Sequence, residues 1–493
     1  MVDFSKNPTA KGFFAPQRFE ADVFDCEVVG KVPTALNGAF VRLGGMPQYP
    51  ALHADDSPFN DDGYMSMFRF RNGIVDFKGR WVKTERFKRS LAADRQLYGY
   101  YRNPYTDDPS VKDIAHPNRR TVSNTTPLAH AGKLFALKED GLPYEMNPKT
   151  LDTIGTWDFH GKYKSQTFTA HPKVDPITGD MITYGYEATG LATDDLWLYV
   201  IDKKGNVKRE VRVKVPYVSM IHDIALTPKH IIIPVFGYVT NLERLKAGKI
   251  HWAWDNSVPN YYGVIPRDGD AKDIRWFKGP QRGIVHTLNG RDQGSKVILE
   301  APIFDGNPFP FFPYVDGSKF DPMKARGYFR RITFDMSSKD DGVTEEILIK
   351  DPAVVDLARI DERHMGQPYR YGFTGYTDAA RPFDEARAGN LRGRVTNCYG
   401  KFDIEAGKLA SAYFGGPTHS LQEVTFVPRS KTAPEGDGYL IGVANNYADM
   451  RSELVIADTA DLAAGDVARV ILPFRSNVQV HGRWYGDDEV KFG

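Results

Sequence analysis

Four histidines stand apart from the rest: His171 in TAHPKVD, His222 in SMIHDIAL, His286 in GIVHTLNG and His481 in VQVHGRW. Each lies in or beside an apolar, β-prone run, whereas the other eight sit among polar or turn residues. A buried neutral imidazole needs a partner for each ring nitrogen, and one of those partners can be a metal ion. Taken singly, each is more often a core histidine satisfied by hydrogen bonds. The set says more, because 51 residues separate His171 from His222 and 64 separate His222 from His286. No cysteine accompanies them, which argues against structural zinc and leaves iron, copper or nickel for an all-imidazole site. The stretch ALKEDGLPYEM, residues 136–146, is the second place with chemical potential. There an apolar run ends in Lys138, Glu139 and Asp140, and a Gly-Leu-Pro turn follows. Charges after an apolar run usually mark a strand reaching water. Neighbours in a regular strand point to opposite faces, so Lys138 and Glu139 share a cavity only if the strand ends, bends or bulges there.

The elements that must position these residues read as strands. Segments 67–84, 172–187, 198–215 and 401–414 each place Asn-Gly, Thr-Gly, Lys-Gly or Ala-Gly between β-prone runs, which is a hairpin signal. Helical periodicity is sparse, with short candidates at 239–249 and 457–466. Gly (45) and Pro (32) are scattered rather than pooled, so no linker divides the 493 residues, and one continuous domain spanning 1–493 is expected. Hairpins repeated over this length suit an all-β propeller of about four strands per blade better than a sandwich. The histidine spacings are about one blade each. One histidine per blade, at the inner end of a strand, would converge on a propeller axis.

Several function classes are disfavoured. A formal net charge of +1, with both signs spread along the chain, offers no electrostatic case for nucleic acid or an anionic membrane surface. No run approaches the roughly 20 apolar residues of a membrane span. The start, MVDFSKNPTAKG, lacks the apolar core of a signal peptide. Two widely separated cysteines, Cys26 and Cys398, point to a reducing compartment, so a soluble cytoplasmic protein is expected.

The four histidine segments, in this order, resemble those of the carotenoid cleavage oxygenases. The resemblance covers nearly the whole chain and includes FNDDGYMSMFRF (59–70), RTVSNTTPLAHAGKLFALKEDGLPYEM (120–146), EVTFVPRSKTAPEGDGYL (423–440) and SELVIAD (452–458). WVKTERF, YRNPYTDDPSV and KEDGLPYE are most similar to the branch of lignostilbene dioxygenases and isoeugenol monooxygenases. RLGGMP at 42–47 and Asp356, where the wider family usually carries RNGPNP-like wording and Glu, also favour that branch. The resemblance implies a seven-bladed propeller with non-haem Fe(II) on its axis and short helices and loops capping one face. It implies His171, His222, His286 and His481 as ligands, with Glu139, Asp356 and Glu423 accepting hydrogen bonds from ligand imidazoles. Carboxylates around four neutral imidazoles would balance the +2 charge and fix each tautomer.

The resemblance further implies cleavage of a carbon–carbon double bond with O2. A phenolic stilbene would yield two aromatic aldehydes of the vanillin type. Deprotonating a 4-hydroxyl pushes electron density toward the alkene, so the site needs a cation or base at the phenol and flat apolar walls. By resemblance Tyr101 and Lys138 stand at the phenol, Phe59 against a ring, and Thr125 near the metal. Phe309, Phe311 and Phe312 in NPFPFFPY are further wall candidates. The alternatives are an isoeugenol-type monooxygenase cleaving a propenyl side chain, a carotenoid or apocarotenoid cleaver, and a non-catalytic scaffold binding no metal. No clear apolar patch for a membrane is visible, and a homodimer is expected because relatives are often dimers.

Overall fold

The Asn72-Gly73 pair, with φ of 52° and 87°, turns strand 63–71 directly back into strand 74–81. Positive φ at both central residues matches the twist of a two-residue hairpin. The other expected hairpins also form, pairing 173–174 with 181–186, 195–201 with 207–214 and 398–403 with 408–414. The computed structural model describes residues 3–5, 10–113 and 119–493. His116, one of the eight turn histidines, lies outside them.

The fold is all-β, with few and short helices. A five-stranded sheet runs in the order 21–23, 74–81, 63–71, 38–45, 481–486. Four-stranded sheets follow over 126–156, 173–214 and 225–279, the last carrying a two-stranded insertion, 238–239 with 253–254. An eight-stranded sheet spans 289–414, but its halves meet through one residue pair, Val354 with Tyr376. A final five-stranded sheet orders 28–30, 466–471, 451–458, 438–446, 419–428. The chain ends cross over: the C-terminal strand joins the first sheet, pairing His481 with Leu43, and strand 28–30 joins the last.

Apolar clusters weld each sheet to the next. Phe68, Phe70, Ile441 and Leu454 join the first and last sheets. Val41, Met65, Leu134 and Met146 join the first and second, and Leu137, Met181 and Tyr199 the second and third. Further clusters continue through Tyr184 with Ile233, Val264 with Leu299, Phe329 with Phe402, and Phe373 with Leu440. Each fully buried Leu, Ile or Phe in these layers stabilises the fold by about 1.5–3 kcal/mol.

Of the two short helix expectations one holds and one needs correction. Segment 239–249 yields one short helix, Leu242–Lys246, capped by Asn241. Segment 457–466 is the end of strand Arg451–Asp458 and a 3-10 turn at Leu462–Ala464, because ladder pairing to 438–446 claims its first residues. The helix Glu85–Ala92 was not expected, although its Thr84 cap, accepting from the Phe87 N–H, is a readable start signal. Among the described residues no helix is long and apolar enough to cross a membrane. Cys26 and Cys398 are buried and free.

Candidate metal centre and its cavity

The four singled-out histidines occupy equivalent places in four sheets. His171, His222 and His286 lie two or three residues before the first strand of their sheets, at 173–174, 225–226 and 289–293, and His481 opens strand 481–486. These starts converge. All four residues are at most 7% exposed, and neighbouring ring centroids lie 4.5–4.9 Å apart. One nitrogen from each falls within 4.8 Å of the others. The Nε2 atoms of His222 and His286 are 3.0 Å apart, and those of His171 and His481 are buried without a hydrogen-bond partner. Two nitrogens each about 2.1 Å from a shared ion lie about 3 Å apart. The orphaned, inward-facing set therefore fits a metal ion.

The opposite ring nitrogens are held by carboxylates. Nδ1 of His222 meets Glu139 Oε1, Nδ1 of His286 meets Asp356 Oδ2 at 2.6 Å, and Nδ1 of His481 meets Glu423 Oε1 at 2.8 Å. With each Nδ1–H donating, Nε2 is left as the bare ligand atom. Among the described residues no carboxylate serves His171. Two of the carboxylates have further support. Glu139 accepts from the Tyr101 hydroxyl at 3.0 Å, while Glu423 accepts from the Arg359 guanidinium at 2.9 Å and the Gly482 N–H at 2.6 Å. Asp356 has no second partner, and its Oδ1 is buried and unpaired.

The electrostatics follow from this packing. Burial works against ionising Glu139, but His222, Lys138 and Arg102 outweigh it and hold the carboxyl at about 2. Burial likewise opposes ionisation of Glu423, and Arg359 with His481 brings it to about 2. Burial pushes His481 down to about 3 despite Glu423, and holds His171 well below the usual imidazole range, helped by the three neighbouring rings. His286 moves the other way: Asp356 overcomes burial and raises it.

Strand 133–137 ends at Leu137, and residues 138–140 form an irregular turn. That break lets Lys138 and Glu139, each 2% exposed, line the same cavity of about 290 Å³. The cavity also touches Phe59, Asn124, Thr125, Phe309 and Asp356, together with His222, His286 and His481. The Lys138 ammonium has no hydrogen bond or ion pair among the described residues. It lies 4.8 Å from the Tyr101 ring centroid and 5.1 Å from that of Phe59. Burial lowers its pKa, and Asp140 and Glu139 oppose that shift.

Tyr101, expected at the phenol, and Phe311 and Phe312, expected as walls, stand behind the lining. Tyr101 turns its hydroxyl to Glu139 and its ring edge to Phe59, and Phe311 packs on Phe59 and Phe309 at 5.1 and 5.2 Å. Phe312 is core, 1% exposed. Sequence reasoning missed Arg359, which has no local motif. It also missed the buried Arg102–Glu187–His251 network, whose Arg102 donates to the Glu139 carbonyl at 3.0 Å. His251 reads in sequence as one of the polar or turn histidines, yet it is fully buried against Trp252.

Comparison with known proteins agrees with this architecture. The family described as "Retinal pigment epithelial membrane protein" matches residues 14–486. The chain is 39% identical to lignostilbene-alpha,beta-dioxygenase isozyme III of Sphingomonas paucimobilis, over 98% of each chain. It is 41% identical to isoeugenol monooxygenase of Pseudomonas putida, over 98% of this chain and 99% of that one. The crystal structure of Pseudomonas brassicacearum lignostilbene dioxygenase superposes with a TM-score of 0.93 at 38% identity, over 99% of this chain and 100% of that one. A Synechocystis apocarotenoid oxygenase shares the fold, at a TM-score of 0.81 and 24% identity over 99% of this chain and 100% of that one. The chain belongs to the retinal pigment epithelial membrane protein family, that of the carotenoid oxygenases.

Proposed function

We propose that this protein is a non-haem Fe(II) dioxygenase that splits the central double bond of 4-hydroxystilbenes with O2 into two aromatic aldehydes. One observation carries the reading: three histidines of the metal cluster, His222, His286 and His481, and the unpaired Lys138 ammonium border one cavity. His171, His222, His286 and His481 would hold the iron, and Glu139, Asp356 and Glu423 would orient three of them. When bound, iron(II) supplies the activation of O2.

The chain's own residues do the rest. The Lys138 ammonium stabilises the phenolate by charge and so lowers the pKa of the 4-hydroxyl, whose proton leaves to water, raising electron density along the conjugated chain. Tyr101 braces Glu139 and stacks beside the ammonium. Phe59 and Phe309 offer flat walls, with Phe311 behind them, and Thr125 stands at the edge nearest Asn124. At about 290 Å³ the cavity is at the lower end of small-molecule sites, which suits a two-ring phenol better than a long carotenoid.

The wider reading is a single domain over 1–493 built as a seven-bladed propeller. Its support is the seven sheet-to-sheet clusters, the crossed chain ends and the single-pair join inside the eight-stranded sheet. A cytoplasmic homodimer is the matching assembly, supported by the two free thiols and the family resemblance.

The relative named isoeugenol monooxygenase, at 41% identity, favours one second reading: cleavage of a propenylphenol side chain. Aerobic incubation of iron-loaded protein with a 4-hydroxystilbene and with isoeugenol separates the two by their aldehydes. Two aromatic aldehydes from the stilbene support the first reading. Turnover of isoeugenol alone supports the second. Iron-loaded protein that yields no aldehyde from either substrate would refute both.

A further inference from the structure

The ring wall at Phe59 sits on a 3-10 turn of three residues, Pro58–Asn60, outside any sheet. The turn's N–H groups bond only locally, Asn60 to the Ser57 carbonyl at 3.0 Å, Phe59 to the Ser57 hydroxyl at 3.2 Å and Asp61 to the Pro58 carbonyl at 3.3 Å, while Arg86 donates to the Asn60 carbonyl at 2.9 Å. The backbone carbonyls of Phe59 and Asp61 instead accept from one amide, Asn124 Nδ2, at 3.1 and 2.8 Å. Both protons of that amide are thereby used. Its Oδ1 accepts from the Thr125 hydroxyl at 3.2 Å, and the Thr125 N–H donates to the Leu137 carbonyl at 3.0 Å, one residue before Lys138. A single side chain, 3% exposed, thus ties the Phe59 turn to the segment that presents Thr125 and Lys138. The preceding residue, Ser123, holds φ at 47°. A non-glycine residue stays in that left-handed region only where its surroundings over-determine it.

We infer that Asn124 is a positioning residue for the reaction proposed above, an inference that rests on that reading. It sets the separation between the Phe59 wall and the Lys138 ammonium. It also commits the Thr125 hydroxyl proton, so that Thr125 meets any ligand as an acceptor. Two phenol-directed features, the ring face and the cation, therefore share one tether, and a small displacement at that tether misplaces the phenol against both.

The test is a double-mutant cycle. Asn124→Asp is isosteric and keeps the Thr125 acceptor, but turns an oxygen toward two carbonyls. Asn124→Ser serves as the second variant should the first fail to fold. In the iron-loaded enzyme either change lowers kcat/KM for a 4-hydroxystilbene about tenfold, as expected for misplacement below an ångström. Iron content is unchanged. In a Phe59→Leu background the same change costs less than about twofold, because the wall it positions is gone. Hydrogen exchange gives a readout independent of turnover: the amides of residues 59–61 exchange faster in the Asn124 variants. Losses that simply multiply in the double mutant, or loop amides that exchange as in the parent, would overturn the inference. Should the parent enzyme cleave neither phenol, the functional reading fails, and the exchange measurement still decides whether Asn124 holds the turn.

Discussion

Lys138→Met removes the one charge that the proposed chemistry needs at the phenol. The ammonium is 2% exposed and has no carboxylate within salt-bridge reach among the described residues. A unit pair 4 Å apart at an effective dielectric of 20 attracts by about 4 kcal/mol, an upper bound. A charge-assisted hydrogen bond nets about 1.5–3 kcal/mol. Because the fold has already stripped water from Lys138, little of that is lost to desolvation on binding, so the upper part of the range applies. The expected fall in kcat/KM for a 4-hydroxystilbene is roughly 50- to 150-fold. The assay compares this substrate with its 4-methoxy analogue, which cannot ionise and should change by less than about threefold. Metal content should be unaltered, and the melting temperature equal or higher, since an uncompensated buried charge has been removed. An unchanged rate for the hydroxystilbene, or equal losses for both substrates, would refute the role.

Other perturbations bear on the histidine cluster. His222→Ala should abolish stoichiometric iron by metal analysis while leaving the far-UV spectrum of a β protein intact. Asp356→Ala leaves His286 Nδ1 without its 2.6 Å acceptor and should weaken metal affinity about 10- to 100-fold, measured by competition with a chelator. Acid should destabilise the metal-free protein in two stages. Folded His481 titrates near 3 against 6.5 when unfolded, so its contribution is complete above pH 6.5 and lost as pH falls toward 3. Glu139 and Glu423, at about 2 against 4.5, contribute above pH 4.5 and lose that contribution on further acidification toward 2. Melting temperatures of the apo protein from pH 8 to 3 check this, and a rise between pH 7 and 5 would contradict a neutral His481.

Much of the site was legible because its signals are local. Asn72-Gly73 and its counterparts mark hairpins through the φ values their residues tolerate, and the apolar setting of four histidines separates them from the surface ones. The family wording then linked Glu139, Asp356 and Glu423 to those rings. Arg359 and the Arg102–Glu187–His251 network were not legible. Their partners lie 64, 85 and 64 residues away, and no periodicity encodes which charges meet in a core. The helix candidate at 457–466 failed for the related reason that strand pairing overrode local propensity.

The sequence by itself determined an all-β chain, the four histidines, and a pair of adjacent charges, Lys138 and Glu139, at a strand end. Tertiary structure alone decided what that pair does. Strand 133–137 stops at Leu137, so the rule of alternating faces lapses at the next residue. Glu139 then turns back on His222 and Tyr101, while Lys138 enters the same cavity between Phe59 and Tyr101, with no counter-ion among the described residues. Where a strand ends is set by the ladder beside it and by packing against residues distant in sequence, here Phe59, Tyr101 and His222, which no short stretch of sequence contains.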